Sequence, residues 1–71
     1  MKSGEGLWIV IYMARGAAQA DSVEAALSQE GFLVRRRLAG GHEPQSDGVF
    51  EIMVLRAEAK EAQAFLIDNG L

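Results

Sequence analysis

Four sets of residues in this chain carry side chains able to do chemistry. Arg35-Arg36-Arg37 is a run of guanidiniums suited to phosphate or a nucleic-acid backbone. Arg15-Gly16 stands before Ala17-Ala18 at the start of a predicted helix, where free backbone N–H groups and the helix dipole favour an anion. His42, Ser46 and Asp47 hold the side chains of a hydrolytic triad, and His42 with Glu43 or Asp47 offers metal ligands. Glu58 and Glu61 form a spaced carboxylate pair.

Each set has a plainer reading. The chain carries 7 Lys and Arg against 10 Asp and Glu, a net charge of −3. That balance argues against nucleic acid or an anionic membrane as partner. The arginines then read as strand residues that pair with Glu51 and lay their stems over apolar surface. Nothing around Arg15-Gly16 completes a G-x-G-x-x-G or Walker pattern, so the segment reads first as a strand-to-helix turn. A triad needs a rigid support, whereas 39–48 holds three glycines and the only proline and reads as a mobile hairpin loop. One histidine and no cysteine leave metal binding without a ligand set. Glu58 and Glu61 suit the N-terminal end of a helix. No catalytic residue, cofactor or metal is therefore expected, and the chain is not expected to be an enzyme.

The elements that would position these residues follow from periodicity. Leu7 to Ala14 is eight consecutive apolar or aromatic residues, many of them β-branched, and reads as a strand. Strict alternation sends Leu7, Ile9, Ile11 and Met13 one way and Trp8, Val10 and Tyr12 the other. Ala17 to Glu30 is rich in helix formers and stops at Gly31, with Ala20, Val23, Ala26 and Leu27 on its apolar side. Phe32 to Leu38 is a second strand with Phe32 and Val34 inward and Leu33, Arg35 and Arg37 outward. Val49 to Arg56 is a third, with Phe50, Ile52 and Val54 on one side and Val49, Glu51, Met53 and Leu55 on the other. A second helix from about Ala57 to Asp68 buries Ala59, Ala62, Phe65 and Leu66 and ends at Asn69-Gly70. Residues 1–6 read as a flexible leader, and 7–71 as a single domain.

The order β-α-β-β-α makes the first two strands parallel and the last two an antiparallel hairpin. The usual arrangement inserts the third strand between the others. The expected fold class is α+β: a two-layer sandwich, ferredoxin-like but lacking the fourth strand, with both helices on one face of the sheet. The other face would expose Trp8, Val10, Tyr12, Met53, Arg35 and Arg37, with Glu51 paired to Arg35 or Arg37. The apolar first strand would form an open edge.

The stretches WIVIYMA, VEAALSQEGFLVRRR and VFEIMVLRAEAKEAQAFLIDNG are together similar to a family of small bacterial signal-transducing domains. In that family a helix ending L-x-x-E-G-F leads into a basic strand, and an E-I-x-V strand with its helix closes the chain. The matching residues are Leu27, Glu30, Gly31, Phe32, Glu51, Ile52, Val54, Glu61 and Ala62; Arg56-Ala57 departs from the pattern at the second helix start. The resemblance implies a structural kinship and a regulatory role, with no activity to carry over.

The resulting expectation is a non-enzymatic interaction or regulatory domain. A chain of 71 residues without disulfides has a marginal core, and self-association is the remaining ordinary support. A homodimer is expected, by the strand edge or the open face, or else an unidentified protein partner. The interface residues would be Trp8, Val10, Tyr12, Met53, Arg35 and Arg37. The alternatives are a sensor of a small anionic ligand at Arg15 and Gly16, or a single-stranded RNA binder using the open face. No run approaches the ~20 apolar residues of a membrane span and no signal peptide is legible, so the expected location is the cytoplasm.

Overall fold

The computed structural model describes residues 7–39 and 48–71. The leader at 1–6, most of the 39–48 loop, and with it His42, Glu43, Ser46 and Asp47, lie outside the described residues. The elements are β1 (Trp8–Arg15), α1 (Ala17–Gln29), β2 (Val34–Leu38), β3 (Val49–Leu55), a 3-10 turn at Arg56–Glu58 and α2 (Ala59–Asp68). The strands form one antiparallel sheet in the order β1-β3-β2, so the third strand does lie between the first two. This is the expected α+β sandwich, a ferredoxin-like fragment without its last strand.

The core lies between the sheet and both helices. Ala20, Val23 and Leu27 of α1 and Ala62 and Leu66 of α2 pack with Ala14, Ile52 and Val54 of the sheet, all buried. Leu27, Ile52, Val23 and Val54 are the largest fully buried side chains. Each contributes about 1.5–3 kcal/mol by leaving water. Ala20 and Ala62, fully buried, let the helices lie close to the strands at those two points. Phe32 and Phe65 close one end of this layer, their ring centroids 6.2 Å apart at a tilt of 50°.

Both helices stop in the same way. Past α1 the Gly31 N–H donates to the Ser28 carbonyl and the Phe32 N–H to Leu27, both at 3.0 Å. Past α2 the Gly70 N–H donates to Ile67 at 3.1 Å and the Leu71 N–H to Leu66 at 2.9 Å. These paired bonds satisfy the last carbonyls of each helix and require a left-handed residue at the turn. Gly31 has φ 104° and Gly70 φ 73°, and a single glycine supplies that conformation at each place. The helix starts are less well served. No side chain caps α1 or α2, and α2 begins two residues later than periodicity places it, because Arg56–Glu58 forms the tighter turn first. Gln19 assists α1 from within: its Oε1 accepts the Arg15 N–H at 2.6 Å.

The sheet departs from expectation at one point. β1 pairs regularly with β3 from Trp8↔Leu55 to Val10↔Met53, then skips a residue, so that Tyr12 faces Ile52, Met13 faces Glu51 and Ala14 faces Phe50. Ile11 is the extra residue of a β-bulge. A bulge shifts the side-chain alternation by one, so every residue after it changes face. Tyr12, expected on the helix-free face, stands on the helix side with Ile52 and packs with Ile11 against the core. Met13, expected inward, is half exposed on the helix-free face, while Ala14 is fully buried. The bulge also resolves a conflict in the sequence: under strict alternation Arg15 would share the buried face with Ile9, whereas here it lies opposite Val49 on the outer face.

Candidate functional face

The helix-free face is built by three strands of different character. β1 supplies Trp8, Val10, Met13 and Arg15; β3 supplies Val49, Glu51, Met53 and Leu55; β2 supplies Arg35 and Arg37. Of the six residues expected at an interface, five share this face and Tyr12 does not. Met13 replaces it. Leu33, just before β2, is 60% exposed and Val10 39%.

The middle strand is covered from both sides. Arg35 and Val10 both pair with Met53 in the register. From β2 the Arg35 guanidinium reaches across to β1, where its Cζ lies 5.1 Å from the centroid of the Trp8 ring. Met53 is only 6% exposed although it lies outside the core cluster between sheet and helices. The Arg35–Trp8 contact crosses β3 beside Met53, the register partner of Arg35, and this cover accounts for a methionine so little exposed on a face that carries no described helix. The guanidinium lies over the indole and is itself exposed, which leaves it open to a further partner. Arg35 makes no ion pair among the described residues.

One turn of register along, Arg37 and Glu51 face each other. Nη2 of Arg37 lies 2.7 Å from Oε1 of Glu51 and its Nε donates to the same oxygen at 2.8 Å. The expected partner of Glu51 is therefore Arg37, and Arg35 belongs to Trp8. Arg36 points to the other side of the sheet. It pairs with Asp21 at 2.9 Å and Glu24 at 3.5 Å on α1, and its Cζ stands 5.2 Å from the Phe50 centroid. The three adjacent arginines thus serve three separate partners. They do not converge on one anion.

Charge is segregated between the two faces. The helix-free face holds Arg15, Arg35 and Arg37 against Glu51, a net +2. The other described ionisable residues are Arg36, Arg56 and Lys60 against Asp21, Glu24, Glu30, Glu58, Glu61 and Asp68, a net −3. Among the described residues, the apolar sheet face is therefore the positive one.

Arg15 and Gly16 do meet at the start of α1, as expected. The local N–H groups are partly engaged, since Arg15 donates to Gln19 and Gly16 donates to the Gly48 carbonyl at 2.7 Å. At the opposite end of the helix layer, Glu30, Glu58, Glu61 and Asp68 surround Phe32 and Phe65 in an open cleft of about 560 Å³. Glu30 and Asp68 join Glu58 and Glu61 only through the approach of the two helices, which no local pattern signals. No group of described residues has the arrangement of a metal site. No described helix is long and apolar enough to cross a membrane.

Among known proteins, no family model, no curated protein and no solved structure matches this chain.

Proposed function

We propose that this chain is a non-enzymatic interaction domain whose working surface is the helix-free face of the sheet. One observation carries the reading. Val10, Met13 and Leu33 leave apolar surface exposed around a Trp8–Arg35 contact already made within the sheet. Burying that surface against another protein yields hydrophobic free energy with little further loss of side-chain freedom. The partner is a second copy of the chain or a separate protein, and the regulatory role implied by the sequence resemblance, in the cytoplasm, is part of the same proposal. The bulge at Ile11 favours the face over the edge of β1, because a bulge interrupts the flat backbone row that edge-to-edge pairing needs.

Light-scattering mass across the micromolar range, with the unmodified chain and Val10→Lys, tests the first form of the reading. A second copy on this face doubles the mass, and the lysine restores the monomer. A monomer throughout directs attention to a separate partner. Association that survives Val10→Lys places the contact elsewhere and removes this face from the reading.

A further inference from the structure

Resting on that interaction reading, we infer that the occupant of the helix-free face is an acidic, aliphatic-rich segment of another protein, with its carboxylates on Arg35.

Three observations identify this chemistry. The first is charge. Among the described residues the face carries net +2 and the rest net −3. Two copies packed face to face would set like charges against each other, which disfavours a symmetric pair. A segment bearing Asp or Glu is attracted to this face and repelled by the acidic helix layer, so the charge pattern also selects the side on which it docks.

The second is the state of Arg35. Its Cζ lies 5.1 Å from the Trp8 centroid, and the exposed guanidinium makes no ion pair among the described residues. A planar guanidinium matches a carboxylate by two parallel hydrogen bonds, and a contact already made to Trp8 lowers the cost of forming them. The same stack occupies one face of the indole that a nucleic-acid base would need. Arg37 is already paired with Glu51, so Arg35 is the anchor.

The third is size. β1 and β3, of eight and seven residues, with the five-residue β2 beside β3, give a face of roughly 25 by 15 Å at most, or ~400 Å². That is about half of the ~800 Å² each partner buries in a standard stable interface. It suits an extended segment of about seven residues, which spans roughly 24 Å, better than a second globular copy. Carboxylates then meet Arg35, and Arg15 at the far end, while aliphatic side chains meet Val10, Met13 and Leu33.

The test is selection of a displayed random library of peptides of about twelve residues, long enough to span the face, on the full chain. Each enriched peptide is then titrated by the fluorescence of Trp8, the one tryptophan of the protein. Enriched peptides are expected to interleave Asp or Glu with Val, Ile or Leu. Their binding should fall by about ten-fold on Arg35→Gln, by a similar factor when their acids become amides, and further as NaCl rises. Met13→Glu, at an exposed position that does not support the fold, should weaken the same peptides by interrupting the aliphatic strip and repelling their carboxylates, and guards against a folding defect in Arg35→Gln. No enrichment, enrichment without acidic residues, or equal binding by Arg35→Gln overturns the inference. Quenching of Trp8 by single-stranded oligothymidylate, with no acidic peptides selected, overturns it in favour of nucleic acid. A mass that doubles and reverts with Val10→Lys overturns it in favour of a second copy while leaving the interaction reading intact. If Val10→Lys alters neither mass nor peptide binding, the interaction reading itself fails.

Discussion

Arg35 lies over Trp8 across the full width of the sheet, from one edge strand to the other, with Met53 of the central strand beneath them. An exposed arginine and a half-buried tryptophan thereby meet across the central strand, where Met53 is only 6% exposed. The stack links the stability of the domain to the surface proposed to bind its partner.

That link can be measured. Arg35→Gln removes the cation above the indole and part of the cover over Met53. An exposed cation–π contact contributes about 0.5–1 kcal/mol, and re-exposing part of Met53 adds a similar amount. A loss of ~1–1.5 kcal/mol in urea unfolding is expected, with a red-shifted Trp8 emission in the native state. An unchanged midpoint with unchanged emission would mean the guanidinium does not rest there.

The bulge predicts an inversion of tolerance at two neighbours. Met13→Lys places a charge on the solvent face where the side chain is half exposed, and should cost under ~0.5 kcal/mol. Tyr12→Lys places it opposite Ile52 on the helix side and should cost more than ~2 kcal/mol. Strict alternation along β1 demands the reverse order, so thermal melts of the pair decide whether Ile11 is the inserted residue.

The two glycine turns should separate by geometry, since a Cβ meets nothing within 4 Å at either one. Any cost of substitution is then conformational. Gly70 at φ 73° lies near the left-handed helical well that Asn tolerates, and Gly70→Asn should cost a few tenths of a kcal/mol. Gly31 at φ 104° lies beyond that well, so Gly31→Asn should cost ~1 kcal/mol and Gly31→Val more. Denaturant midpoints for the three variants check the ranking. A Gly31→Val protein that melts like the unmodified chain would show that the turn does not hold this conformation.

The sequence by itself determined the element order, both helix stops and the insertion of β3 between its neighbours. These rest on short-range signals: apolar runs of strand length, helix formers ending at Gly31 and Gly70, and a hairpin that can close only on an adjacent strand. It also placed Val10, Met53, Arg35 and Arg37 together, because alternation transmits a face along any unbroken strand. Only the tertiary structure decided the rest. The register of β1 against β3 inserts Ile11, carries Tyr12 into the core and turns Met13 outward; its one trace in the sequence was Arg15, a charge that strict alternation would have buried. The choice of Trp8 for Arg35, of Glu51 for Arg37 and of α1 carboxylates for Arg36 was equally hidden. Three identical side chains in a row differ in nothing local. Their partners come from strands and a helix far along the chain, and those distances are fixed only when the layers pack.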